Sequence, residues 1–239
     1  MLSFSLLDPV QPGPSRTRTA TTASTLSARI MDPNDVILIV LIAIYLVISN
    51  CFLYFQKTEA LLDLCCKKDL THSERIRLRE LAVDKDVDIN RERGRCSPLL
   101  CICRSNQSLS LYRCLRSLLL NEGIDVNVRT DKDFTALSLL TRYYRLPNLI
   151  DCVQLLLDRN INVHFKTKYF KNALHYLCEF YELDNLMDIA KLLVFKMDRF
   201  VSAGAAVEML KKRGFNKESK LLAESIASRT RELENAGPL

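Results

Sequence analysis

Polarity changes character twice along the chain. Residues 36–55, VILIVLIAIYLVISNCFLYF, carry no charge. Twenty helical residues rise about 30 Å, the hydrocarbon thickness of a bilayer. Tyr54 and Phe55 stand where interfacial aromatics are common, and Gln56 and Lys57 end the run. A membrane-spanning helix is expected over 36–55. A buried core helix and a secretory signal are the alternatives. A core helix usually keeps a polar stripe, which 36–48 lacks apart from Tyr45, and a signal ends in small residues, unlike NCFLYF. From Thr58 onward the apolar residues come in short stripes. Leu174, Leu177, Cys178 and Tyr181 follow the i, i+3, i+4, i+7 pattern of an amphipathic helix. A second stripe, Leu186, Ile189, Leu192 and Leu193, follows a polar turn at 182–185. No stretch alternates with the period of a strand, so the expected class is all-α.

The stripes recur. NALHYLCEFYELDNLMDIAKLLV (172–194) overlays TALSLLTRYYRLPNLIDCVQLLL (135–157) without a gap, with ten of 23 positions identical and a spacing of 37 residues. LLL at 118–120 returns at 155–157 and as LLV at 192–194, and LAV at 81–83 anticipates it, again 37 apart. Asp88-Ile89-Asn90 returns as Asp125-Val126-Asn127 and Asn162-Val163-His164. Each unit reads as two short antiparallel helices and a hairpin-like loop. One such pair cannot bury its apolar face alone, so neighbours must stack. Leu156 and Leu193, in the middle of their triplets, are expected between neighbouring units.

SPLL (97–100), TALS (135–138) and NALH (172–175) resemble the ankyrin T-P-L-H box, and LLLNEGIDVN (118–127) resembles the ankyrin second helix and its exit. The resemblance covers roughly residues 58–199, about four units. It implies an ankyrin-type helical-pair solenoid that presents loop tips and inner helices to a protein partner. Ankyrin units usually repeat at about 33 residues. The four extra residues here fall between box and triplet, at YYRLPNL and FYELDNL. Four residues are about one helical turn, and the expectation is a first helix lengthened without rotating its buried face.

Outside the repeats, residues 1–35 are rich in Ser, Thr and Pro without helical period, and a disordered segment is expected. A mitochondrial transit peptide is the alternative, opposed by three prolines, and Met31 is a second candidate start. Residues 200–239 hold two further helical patterns, VSAGAAVEMLKKRG and KESKLLAESIASRTREL, expected to close the solenoid as a helical cap and tail. The organisation is thus 1–35, a single transmembrane helix at 36–55, repeats at 58–199 and the cap at 200–239.

Composition narrows function. Hydrophobic residues are 48% and charged residues 26% of the 239, with net charge +6. Basic and acidic residues interleave, so no nucleic-acid partner is expected. Cys65, Cys103 and Cys178 share one repeat position with Thr141 and read as small core residues. C-x4-C-x-C at 96–103 matches no familiar zinc spacing, so no metal and no cofactor are expected. Cys66, beside Lys67 and Lys68, is a palmitoylation candidate. His175 sits in the box, where a structural hydrogen bond is expected. No glycine-rich phosphate loop, HExxH or GxSxG occurs, so neither catalysis nor a small-molecule substrate is expected.

Two function classes remain: a membrane-anchored, non-catalytic protein-interaction module, and an accessory subunit of a membrane enzyme or transporter. A soluble ankyrin protein with a buried apolar helix is a further alternative. For an interaction module, the tips offer Arg91, Arg93, Arg129, Lys132, Lys166, Lys168 and Tyr169 as partner-binding residues. The repeats are expected in the cytoplasm, from Lys57, Lys67, Lys68 and Arg75 after the span and from the free thiols. The sequon Asn106-Gln107-Ser108, expected in an exposed turn, would report the opposite orientation by acquiring a glycan.

Overall fold

The computed structural model describes residues 32–198, 200 and 203–236. Almost all of the expected disordered segment, residues 1–31, lies outside them. The described residues form ten α-helices and no strand. The chain divides into two compact units, Met1–Val47 and Ile48–Leu239.

Helix α1, Pro33–Cys65, is the one helix among the described residues that is long and apolar enough to cross a membrane, and its most apolar window is 0% buried. In the first unit, Val36, Leu38, Leu41 and Val47 are all exposed. Burial within α1 begins at Thr58, and Leu61, Leu62, Leu64 and Cys65 are core residues of the second unit.

Nine helices follow: α2 His72–Val83, α3 Pro98–Ser105, α4 Leu111–Leu118, α5 Ala136–Tyr143, α6 Leu149–Leu157, α7 Ala173–Phe180, α8 Leu186–Lys196, α9 Ala203–Lys212 and α10 Asn216–Asn235. They pack in two rows. One runs α3, α5, α7, α9; the other runs α2, α4, α6, α8, α10; each helix touches its neighbour in the row. Cross-contacts pair α3 with α4, α5 with α6, α7 with α8 and α9 with α10. The middle of the core is apolar, with Leu156 and Leu193 fully buried. Cys65, Cys103, Thr141 and Cys178 occupy equivalent buried positions. Burial pushes the Cys152 and Cys178 thiols up to about 12, so these thiols are inert packing atoms.

The box residues start the helices. Ser97, Thr135 and Asn172 each accept a hydrogen bond from the backbone N–H three residues on, and Thr135–Ser138 and Asn172–His175 close reciprocal capping boxes. His175 is buried there with its ring on the Asn172 side chain. Asp88, Asp125 and Asn162 turn the chain after each second helix, each accepting from the N–H two residues on at 2.8–3.0 Å. Asn90 and Asn127 then reach the next unit, accepting from the Asp125 and Asn162 N–H groups at 2.8 Å. His164 stands at the next equivalent position, and its Nε2 lies 2.7 Å from Asp198 Oδ1.

Two expectations are corrected. The extra residues do not extend the first helices: α5 ends at Tyr143 and α6 begins at Leu149, α7 ends at Phe180 and α8 begins at Leu186, so YYRLPNL and FYELDNL fall almost wholly between helices. They form inter-helix loops held by a buried tyrosine. Tyr144 leaves α5 in an extended conformation and is fully buried, with its hydroxyl 2.8 Å from the Ser108 carbonyl and 2.7 Å from Asn148 Oδ1. Asn148 Nδ2 donates to the Leu109 carbonyl at 3.3 Å. The arrangement repeats 37 residues on: Tyr181 is buried, with its hydroxyl on the Leu146 carbonyl and Asn185, and Asn185 Nδ2 donates to the Pro147 carbonyl at 2.7 Å.

The second correction concerns Asn106. It is not in an exposed turn. It caps α3, is 0% exposed, and uses Oδ1 to accept from the Ser108 N–H and hydroxyl. Its position is that of Tyr144 and Tyr181, and its Nδ2, the atom a glycan would need, is buried without a partner. The folded unit has no room for a glycan there.

The C-terminal helices continue both rows, α9 on α7 and α10 on α8 and α9. Arg213 donates to the Cys178 carbonyl of α7 and to that of its C-cap Tyr181, at 2.7 and 3.0 Å, just as Arg145 donates to Thr141 of α5 and its C-cap Tyr144. Gly214, with φ +85°, then reverses the chain.

Candidate interaction groove

The links between units end in hairpin tips built on one plan. Arg93 N–H donates to the Cys96 carbonyl, Thr130 N–H to Phe134 and Thr167 N–H to Lys171, at 2.9–3.1 Å. Within each tip one residue other than glycine has positive φ: Arg95 at 62°, Asp133 at 59° and Phe170 at 59°. That conformation costs an L-residue about 1–2 kcal/mol. Three units bear the cost at the same position, and at the third the residue is a phenylalanine 82% exposed to solvent. Phe165 is half-buried beneath the Arg129 guanidinium, 4.8 Å from the ring centroid.

Between the tips and the α3–α5 row lies a groove of about 360 Å³. Its cations are Arg95, Arg104, Lys132 and Arg142, and among the described residues its only acid is Asp131, 3.9 Å from Arg95. Phe134, Tyr143 and Tyr169 supply aromatic wall. Tyr169 is 53% exposed, with its ring 6.3 Å from that of Phe134. Arg142 is held among four rings, 5.3 Å from the Phe134, Tyr143 and Tyr176 centroids and 5.5 Å from Phe180. Such contacts fix a guanidinium without neutralising it. Neither Arg104, Lys132 nor Arg142 forms an ion pair with a described carboxylate, whereas the tip cations Arg93 and Arg129 do. Cys96 borders the groove; a hydrogen bond with Cys101 lowers its thiol pKa, helped by Arg104 and opposed by burial.

The seven expected partner-binding residues divide. Lys132 and Tyr169 line the groove together. Lys166 and Lys168 are exposed on the third tip, and the Lys168 N–H ties it to the second through the Lys132 carbonyl at 3.1 Å. Arg93 turns inward to α1, 3.0 Å from Glu59 and 2.7 Å from Asp63, with Cys66 Sγ at 3.8 Å. Hydrogen bonding to Asp63 raises its pKa further. Arg129 is engaged by Asp133 at 3.4 Å, and Arg91 lies 6.0 Å over the Phe55 ring. Arg95, Arg104, Arg142 and Tyr143 were not among the expected residues. Arg104 and Arg142 stand 38 apart, the same step as Pro98 to Ala136, so the repeat alignment already contained them. The equivalent residue in α7 is Glu179, which pairs with Lys171 at 2.7 Å and ends the cationic stretch. No group of three or more His, Cys, Asp or Glu able to hold a metal occurs among the described residues. Neither protein-family models nor the curated proteins give a match to this sequence.

Proposed function

We propose that this chain is a single-pass, membrane-anchored ankyrin-type solenoid with a helical cap, acting as a non-catalytic module that binds a protein partner in the α3–α5 groove. The observation that carries the reading is the unpaired set Arg104, Lys132 and Arg142 beside the exposed rings of Tyr143 and Tyr169. A set of cations without carboxylate partners favours an acidic segment, and aromatic wall supplies contact area for its apolar side chains. The strained, exposed Phe170 supports the same face, because strain kept on a surface tip does nothing for the core.

The ankyrin assignment rests on the capping function of the box residues and on turns, caps and inter-unit hydrogen bonds recurring 37–38 residues apart. Membrane anchoring is supported by the exposed apolar length of α1. Nine free thiols favour a reducing compartment, hence the cytoplasm, for the repeats. Of the adjacent pair, Cys66 is exposed and Cys65 is buried, so Cys66 is the one of the two open to acylation. Orientation is tested by protease protection of the C-terminus in sealed membranes.

The binding test is site-specific photo-crosslinking in cells, with a photoreactive residue replacing Tyr143 or Tyr169 and, as control, Lys191 on α8. A discrete adduct from the groove positions and none from Lys191 is expected. Adducts only from Lys191 would overturn the groove as the binding face.

A further inference from the structure

A second basic site lies on the other row of helices. Helices α2 and α4 pack side by side, and between them opens a pocket of about 570 Å³ lined by Arg79, Tyr112, Arg113, Arg116, Ser117 and Leu120. Three of the six lining residues are arginines and none is acidic. The nearest carboxylate in sequence, Glu80, is taken by Arg77 at 3.3 Å. Among the described residues none of the three arginines has an ion-pair partner, and the Tyr112 hydroxyl has no hydrogen-bond partner. Arg79 and Arg116 stand 37 residues apart, at one repeat position on adjacent units. In α6 the buried residues Leu149, Cys152, Val153 and Leu156 stand 38 after those of α4, so the equivalent of Arg116 is the uncharged Gln154. The basic pair is thus a feature of these two units and not of the packing plan.

Gathering three guanidinium groups around one pocket opposes itself electrostatically, and a bound anion offsets that repulsion. Guanidinium forks bind phosphate oxygens in pairs, which ammonium groups and neutral donors cannot do. The volume falls in the range of small-molecule sites. Leu120 is 50% exposed at the pocket and Val83, its equivalent on α2, is 54% exposed, so apolar surface adjoins the charge. We propose that this pocket binds a phosphate monoester of multiple negative charge, with its phosphate between Arg79, Arg113 and Arg116, its neutral oxygens near Tyr112, and its carbon skeleton against Leu120. The site is separate from the α3–α5 groove and does not depend on what that groove binds. Two sources carry this chemistry: a soluble phosphorylated metabolite and the headgroup of a phosphorylated lipid.

The test uses the full chain in nanodiscs of phosphatidylcholine. One arm titrates inositol trisphosphate in solution and follows binding by calorimetry. The other measures association with phosphatidylcholine vesicles containing phosphatidylinositol bisphosphate. Arg79→Gln with Arg116→Gln removes the repeated pair, and Lys191→Gln with Lys196→Gln removes the same charge from α8. Loss of about tenfold or more in the arginine variant, against less than about twofold in the lysine variant, is expected. Binding in the soluble arm identifies a free phosphate ligand; binding in the vesicle arm alone identifies a lipid headgroup. The proposal is overturned if the wild-type protein binds neither probe, or if both variants lose affinity equally, which is diffuse charge attraction. Should the Gln variant melt early, Arg79→Lys with Arg116→Lys keeps the charge and removes the forks, and undiminished binding by that variant overturns the site as well.

Discussion

The inter-helix loops and the hairpin tips both connect helices at regular spacing, yet they are built on opposite principles. The loops around Tyr144 and Tyr181 bury a whole aromatic side chain and satisfy its hydroxyl on the neighbouring loop. The tips around Arg95, Asp133 and Phe170 hold backbone strain and leave their side chains partly or fully in solvent. Buried aromatic packing is concentrated at one edge and exposed backbone strain at the other. The loops also change along the chain. In the first unit the edge is ionic, with Lys67 on Glu74; in the second it is a small polar relay, Asn106, Ser108, Ser110 and Asp69; in the next two it is tyrosine and asparagine.

The largest expected effect is Tyr181→Ala, which empties a buried aromatic site and should destabilise by about 3–5 kcal/mol in urea unfolding of the membrane-free repeat region, or unfold it outright. A cost below about 0.5 kcal/mol, the surface range, would erase the distinction between the two edges. Tyr144→Phe keeps the ring and removes the hydroxyl, leaving the Ser108 carbonyl and Asn148 without it; about 1–2 kcal/mol is expected. In a double-mutant cycle with Asn148→Ala the two losses should add to less than their sum, because the residues share one hydrogen bond.

Phe170→Gly should act in the opposite direction. Glycine takes positive φ freely and little buried area is lost, so the melting temperature should hold or rise, by up to about 1 kcal/mol of stability. A clear loss of stability would mean that the tip packs for structure. The photo-crosslink from Tyr169 should weaken in the same variant.

The smallest effect is a pH dependence at the ionic first loop. Hydrogen bonding to Lys67, and then to the Thr71 backbone and hydroxyl, brings the Glu74 carboxyl from an ordinary 4.5 down to about 2. A carboxylate depressed on folding stabilises fully above its unfolded value and loses that contribution as pH falls toward the folded one. Glu74→Gln should therefore lower the melting temperature at pH 7 by more than near pH 2, and equal differences at both would disprove the assignment.

Much of the helical plan was written in local pattern. Apolar residues at i, i+3 and i+4 place helices wherever they recur, and a 37-residue spacing carries the same caps and turns forward, because both depend on residues close in sequence. The uncharged run at 36–55 likewise needs no partner to be recognised as helical. Other features were decided only by packing. An asparagine after a helix reads as an exposed turn residue, but Asn106 stands where its neighbours bury tyrosine, and the adjoining loops enclose it. Extra residues after a first helix read as an extra turn, but Tyr144 and Tyr181 leave their helices in an extended conformation and set their hydroxyls on carbonyls of the preceding loop. Arg93 and Arg104 are equally basic in sequence; Glu59 and Asp63 on α1 neutralise the first, and no described carboxylate reaches the second. Periodicity determines which residues face inward. Which inward position has room, and which surface charge is left without a partner, depends on atoms some 30 to 40 residues away, and only the folded chain brings them together.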